Sequence, residues 1–313
     1  MPFWAPIDTI NGPSLDYFEL SRVFNLLSLL IGMKHVGLMK KFILLLFFLG
    51  YPKIAHANIN PILISTGYAS LCSGSFVAFE GYQPDHKGLY MTNGHCTKLN
   101  GLFGKYMEPN QIVVNVPNRK KIKLLINEEG LFGQKKVTLT TSKLLFATMS
   151  VRDIAIYELD LTYGEILDQF KIDPFIIKGT QSLKKHDLIE IPSGFWGLRW
   201  FCRFRRVSEN NVQSGQYIWK ETLILNRCDQ EIVGGTSGSP TILSGTNWVV
   251  GLHNAYDFST HNRCSETDAC EIDGEGKVLS RKGDSFSQNI DFLLDCLDEN
   301  SIFIPEQCEL PQN

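Results

Sequence analysis

The chain has 313 residues, 43% of them hydrophobic and 20% charged, with a formal net charge of −3. That is enough apolar material for one large core or two smaller ones. It lacks the concentrated basic surface that a nucleic-acid or anionic-membrane partner requires.

In chain order, the first informative stretch is Lys40-Lys41, followed by an apolar run over 42–50 (FILLLFFLG) and the ending Ala55-His56-Ala57. A positive start, a short apolar core and an Ala-x-Ala ending predict a secretory signal cleaved after Ala57. The run is too short for a bilayer core of ~30 Å, which needs roughly 20 apolar residues. A second apolar patch over 24–31 is cut off by Lys34, His35 and the Lys40-Lys41 pair. No stable membrane anchor is therefore expected. Residues 1–38 precede Met39 and read as an upstream extension. The expected location is secreted or periplasmic.

All eight cysteines follow the predicted cut: Cys72, Cys96, Cys202, Cys228, Cys264, Cys270, Cys296 and Cys308. An even count confined to the exported part predicts disulfides. A zinc site is the competing reading, but there is no C-x-x-C pair and no H-E-x-x-H helix, so no metal is expected.

From residue 58 onward, short segments rich in Val, Ile, Thr, Tyr and Phe alternate with Gly, Asn, Asp and Pro turns. They predict strands over 76–79, 111–116, 137–141, 153–159, 188–191, 217–225 and 248–252. The stretch 118–123 (NRKKIK) reads as a surface hairpin. The stretch 200–206 (WFCRFRR) reads as a strand with an apolar inner face and a basic outer one. Ile290, Leu293, Leu294 and Leu297 fall at helical spacing and predict a C-terminal helix over 287–297. The pattern is all-β, as barrels or a sandwich, with a joint near 163–180 if there are two units.

Three segments carry candidate chemistry. In Thr92-Asn93-Gly94-His95-Cys96, a histidine titrating near neutrality can take and return a proton if its ring is fixed. In the segment 151–159, Asp153 opens an alternating strand and would sit at a strand mouth. That suits an acid accepting the Nδ1 proton of a histidine, although a strand-start aspartate is also an ordinary turn residue. In Gly234-Gly235-Thr236-Ser237-Gly238-Ser239-Pro240, glycines flank Ser237, so the N–H groups of Gly235 and Ser237 can point at one oxygen. A flexible Gly/Ser linker is the bland alternative, but 240–243 (PTIL) resumes a strand at once.

Together these segments resemble the His, Asp and Ser motifs of the trypsin/chymotrypsin-like serine proteases, in that family's chain order, over about residues 65–300. Residues 248–253 (WVVGLH) are similar to the strand after the family's nucleophile. Cys202, Cys228 and Asp229 resemble the bacterial V8-like (glutamyl endopeptidase) branch. The resemblance implies two six-stranded antiparallel β-barrels, over 58–170 (His, Asp) and 171–313 (Ser), the latter carrying the C-terminal helix. It implies a triad of His95, Asp153 and Ser237, with Gly235 and Ser237 as oxyanion hole. It implies a monomer acting on protein or peptide substrates, with no nucleic acid and no cofactor. The expected disulfide pairs are 72–96, 202–228, 264–270 and 296–308.

Thr236 stands where digestive members carry an aspartate, so activation by an inserted N-terminus is not expected. Specificity cues conflict. His253 matches the carboxylate-contacting histidine of glutamate-specific members, Ile232 replaces their Ser or Thr, and Glu231 stands where Lys/Arg-specific members hold an acid. The balance leans to glutamate or mixed specificity. Two other functions compete with endopeptidase: an inactive protease-fold binding protein, and an esterase on the same site.

Overall fold

The computed structural model describes residues 63–99, 104–127, 134–260 and 263–309 of the chain. The expected signal sequence and upstream extension lie outside the described residues. Strands dominate. The first seven are β1 (Thr66–Ala69), β2 (Cys72–Phe79), β3 (Lys87–Thr92), β4 (Ile112–Pro117), β5 (Lys121–Asn127), β6 (Gln134–Thr148) and β7 (Ile154–Thr162). Six of them pair in the order β1-β5-β6-β7-β3-β2, and β1 also pairs β2, which closes a six-stranded antiparallel barrel. Its interior is filled by alternating large side chains, among them Phe76, Met91, Leu124, Phe146 and Ile156, all buried. Register shifts between Thr141/Lys143 and Leu144/Phe146 let the long β6 bend as it passes between its partners.

The expected hairpin over 118–123 is a different connection. β4 and β5 each pair with β6, not with one another. The Thr141 hydroxyl accepts from Lys120 N and donates to the Asn118 carbonyl, pinning the link to β6.

After β7 comes α1 (Tyr163–Phe170), a helix the sequence reading did not single out although Tyr163, Ile166, Leu167 and Phe170 fall at helical spacing. Its start is a capping box in which Thr162 and Glu165 each satisfy the other's backbone N–H. β8 (Phe175–Ile177) then lies parallel to both β2 and β15 (Trp248–Tyr256). Beyond β8 the pairing order is β15, β14 (Pro240–Leu243), β9 (Leu188–Ser193), β10 (Leu198–Val207), β13 (Leu223–Asn226) and β17 (Ser285–Gln288), with β15 also pairing β17. Ile189, Ile191, Trp200, Phe204, Leu225 and Val250 form a second apolar core inside these strands. On β10, Trp200, Cys202 and Phe204 point inward. Three of the four arginines on β10 meet acids, Arg199 with Glu190, Arg205 with Asp284 and Arg206 with Glu271, while Arg203 donates to the His186 carbonyl.

The strand expected over 217–225 is two strands. β12 (Tyr217–Trp219) joins β11 (Asn211–Ser214) and β16 (Cys270–Ile272) in a small separate sheet. The chain then turns at Glu221, whose φ is +46°, before entering β13.

The C-terminal helix is also corrected. Ser287 and Gln288 belong to β17, and Asp291–Cys296 forms a 3₁₀ turn. The turn is tethered at both ends. The Asp291 carboxylate accepts from Thr180, and the Cys296 carbonyl accepts from Ile304 N next to the Cys296–Cys308 bond. Ile290 and Leu293 are buried all the same, so the apolar spacing is satisfied without α-helical bonding.

Four disulfides join Cys72–Cys96, Cys202–Cys228, Cys264–Cys270 and Cys296–Cys308. Among the described residues no helix is long and apolar enough to cross a membrane.

Candidate active site

The barrel delivers the first two candidate residues to one spot. β3 ends at Thr92 and the chain enters a 3₁₀ turn, Gly94–Cys96, which the Cys72–Cys96 disulfide ties to the start of β2. Asp153 precedes β7 directly. The two segments fit only because residue 94 is glycine. A Cβ there would collide with the Thr148 carbonyl and sit 3.1 Å from Asp153 Oδ1. Asn93 Nδ2 adds a 2.7 Å bond to the Asp153 carbonyl.

The Asp153 carboxylate is fully buried. Oδ1 accepts from His95 N at 2.9 Å, and Oδ2 lies 2.6 Å from His95 Nδ1. Oδ2 also accepts from Asn254 Nδ2 at 2.7 Å. With Nδ1 donating to the carboxylate, the neutral His95 ring has its Nε2 lone pair free to accept a proton. Burial pulls the His95 pKa down, but the Asp153 charge and hydrogen bond outweigh it and hold the ring above its ordinary value. Its side chain keeps 34% exposure, so it reaches solvent.

Ser237 sits in a turn that glycines make possible. Gly235 and Gly238 have φ of +91° and +84°, where a side chain is strained. The turn is held by Ser73 at the start of β2. Ser73 N donates to the Ser237 carbonyl at 2.9 Å and its hydroxyl to the Gly235 carbonyl at 2.8 Å. Gly238 N donates to the His253 carbonyl at 2.9 Å on the other side. Among the described residues, neither Gly235 N nor Ser237 N has an acceptor. The Ser237 hydroxyl donates to the Asn254 carbonyl at 3.1 Å, and no hydrogen bond joins it to His95.

His95, Asp153, Ser237, Ile232 and His253 all line one cleft of about 710 Å³. The other expected specificity residue does not. Glu231 is exposed and outside that lining, its carbonyl accepting from the Trp200 indole. Ile232 is buried in the second core. His253 is also buried, with Nδ1 3.3 Å from the Ser285 hydroxyl. Burial, with His95 nearby, pushes its pKa down to about 3. Cys72, His95 and Cys96 bring three donor atoms within 4.8 Å of one another, but both sulfurs are spent in a disulfide and offer no thiolate.

Three contributors escaped the sequence reading. Asn254 and Ser73 carry no motif; their only signal is that each follows a singled-out residue, His253 and Cys72. The third, Arg152, is buried beside Asp153 and donates to the Val151 and Lys220 carbonyls and to Glu221. It thereby fixes the approach to β7 against the segment after β12.

No family model matches the chain, and no curated protein matches it. Three solved structures give the measure of its likeness to known folds. Deg5 is 14% identical with a TM-score of 0.41, covering 75% of this chain and 87% of that one. Thermobifida fusca protease A is 13% identical with a TM-score of 0.40, covering 74% and 94%. The NS6 protease of murine norovirus 1 is 12% identical with a TM-score of 0.39, covering 74% and 93%. Likenesses this weak carry no functional argument, which falls to the geometry of the cleft.

Proposed function

We propose that this chain is an exported serine endopeptidase of the trypsin/chymotrypsin type, with His95, Asp153 and Ser237 as its triad. One observation carries the reading. A buried carboxylate grips the backbone N–H and Nδ1 of a partly exposed histidine, in the same cleft as a serine set between two positive-φ glycines. In this reading β9, β10, β13, β14, β15 and β17 form a second barrel, and the two halves, 58–170 and 171–313, meet at the cleft.

The chemistry follows from the placement. The Ser237 hydroxyl turns from the Asn254 carbonyl toward His95 Nε2, which takes its proton as Oγ attacks the scissile carbonyl. Asp153 stabilises the resulting imidazolium. The carbonyl oxygen becomes an oxyanion and accepts from Gly235 N and Ser237 N, each such donor being worth about 2.7–4 kcal/mol. His95 then gives its proton to the leaving amine, which departs and leaves an acyl-Ser237 ester. Water attacks that ester with His95 again as base, which releases the acid and restores the serine.

The test is labelling of the purified protein with a fluorophosphonate, beside Ser237→Ala and His95→Ala. Labelling on Ser237 that disappears in both variants is expected. Folded protein that stays unlabelled would instead fit a binding protein built on the same frame. Turnover of short esters with none of casein would mark an esterase.

A further inference from the structure

The cleft beside Ser237 has walls of a definite chemistry. Ile232, Val233 and Gly234 lead into the serine turn on one side, and the end of β15 with Tyr256 and Phe258 forms the other. Tyr256 and Phe258 pack edge to face at 4.8 Å. The far wall is the small sheet, where Tyr217 and Trp219 stack and Ala269 fills in behind them. Val233 is 41% exposed, a large apolar side chain left open beside the reacting group.

Charge is nearly absent. Among the described residues no lysine or arginine lines the cleft, and the two carboxylates that do are Asp153, bound to His95 and Asn254, and the exposed Glu266. Arg263, on the loop between Phe258 and Ala269, is committed to Asp257 and the Ser280 carbonyl. A carboxylate entering here would lose its hydration with no lysine or arginine among the described residues to pair with it. His253 also lines the cleft, with Nδ1 toward Ser285, but burial and the nearby His95 keep its ring neutral, so it offers a hydrogen bond and not a cation.

The walls are also fixed. The Asp268 carboxylate accepts from Phe258 N at 2.7 Å and from Thr260 N at 2.7 Å, and the Cys264–Cys270 disulfide brackets the loop carrying Glu266 and Ala269. Gly215 N donates to the Cys264 carbonyl, joining that loop to the sheet. A preformed apolar slot binds apolar groups without an ordering cost.

Resting on the serine-protease reading, we propose that this slot selects substrates by a bulky uncharged side chain, aromatic or long aliphatic, on the acyl side of the scissile bond, and excludes acidic ones. The acyl part stays attached to Ser237 between the two steps, so its side chain is the one the adjoining slot holds. The glutamate preference that His253 suggests in the sequence is replaced by an apolar one.

The experiment has two arms. The purified protein is given a mixed peptide library and its cuts are mapped by mass spectrometry. Ser237→Ala is titrated with fluorescent peptides ending in Phe, Leu, Glu or Lys, read by polarisation. Cuts after Phe, Tyr, Leu and Met are expected, with Phe and Leu peptides binding at least about tenfold tighter than Glu peptides. Glu or Lys peptides that are cut as fast or bind as tightly would overturn the proposal. Val233→Lys places a cation in the wall and should move the Glu/Phe affinity ratio by about tenfold toward Glu; an unchanged ratio would also overturn it. The binding arm needs no turnover. A serine that fails to label would therefore sink the protease reading, while the slot's preference is still decided by the affinities.

Discussion

Asn254 Nδ2 donates to Asp153 Oδ2 at 2.7 Å, the same oxygen that meets His95 Nδ1 at 2.6 Å. Its backbone carbonyl accepts from the Ser237 hydroxyl at 3.1 Å. One residue of β15 therefore touches both the buried carboxylate and the Ser237 hydroxyl, and ties the carboxylate held by the barrel to the strand behind the serine.

Removing that amide should be costly, because it strips a donor from a fully buried carboxylate. A hydrogen bond to a charged group contributes about 1.5–3 kcal/mol. Asn254→Ala is expected to lower stability by about that much, a drop of several degrees in Tm. The fluorophosphonate labelling rate should fall as well, because His95 then leans on a less firmly held acid. Asn254→Asp should be worse than Ala, since it sets a second carboxylate against Asp153. Thermal denaturation of both variants checks the order.

As the pH falls, His95 should add stability down to about 6.5, and His253 should remove it below that. His95 has a folded pKa above 6.5, so its stabilising ion pair with Asp153 is fully present below 6.5 and is lost as pH rises through the folded value. His253 has a folded pKa near 3, so the unfolded chain binds its proton first, and stability falls as pH drops from 6.5 toward 3. His253→Gln should flatten that acid slope by up to about 1.4 kcal/mol per pH unit. His95→Gln should not steepen it, because the His95 ion pair is already fully present below 6.5. Denaturant midpoints across this pH range measure both. In a Ser237→Ala background, the His95 imidazole should titrate by NMR above 6.5, and Asp153→Asn should bring it below.

What was legible in the sequence follows from which interactions are local. Glycines around Ser237, the cysteine beside His95 and the alternation after Asp153 are signals within a few residues, and they locate the three side chains that the cleft brings together. Strand β10 was readable for the same reason, since its inward Trp200, Cys202 and Phe204 alternate with Arg199, Phe201, Arg203 and Arg205. The C-terminal helix failed because helical spacing at Ile290 and Leu293 competes with partners distant in sequence, Thr180 and Cys308, that periodicity does not contain. α1 was missed because at Tyr163–Phe170 it is only eight residues long, although Tyr163, Ile166, Leu167 and Phe170 fall at helical spacing and the capping pair Thr162 and Glu165 marks its start. Asn254, Ser73 and Arg152 act across the fold, so their roles appear only once the strands are placed. Glu231 shows the limit of counting from a motif. Six positions before the serine it faces solvent outside the cleft lining, while the next residue, Ile232, turns inward.

The three glycines around Ser237 should respond differently to one added methyl group. At Gly234 a Cβ meets nothing within 4 Å, and the backbone is not in the positive-φ region, so Gly234→Ala should fold with stability within about 0.5 kcal/mol of the parent. At Gly238, φ is +84° and a Cβ would collide with the Ser73 carbonyl and Thr92 Oγ1. These atoms are joined to each other at 2.7 Å, and Ser73 N in turn holds the Ser237 carbonyl, so the strain passes directly to the nucleophile. The left-handed backbone alone disfavours alanine by roughly 1–2 kcal/mol. With the collision added, Gly238→Ala should lose more than about 2 kcal/mol, and its labelling rate should drop beyond what the unfolded fraction explains. Gly235→Ala meets the Phe195 ring at 2.8 Å and should fall between the two in stability. Its labelling should nevertheless suffer as much as that of Gly238→Ala, because the proposed oxyanion donor is its own N–H. Urea titrations of the three variants beside labelling rates decide the matter. Equal tolerance at all three sites would mean that the turn is not held against Ser73 in the way these contacts require.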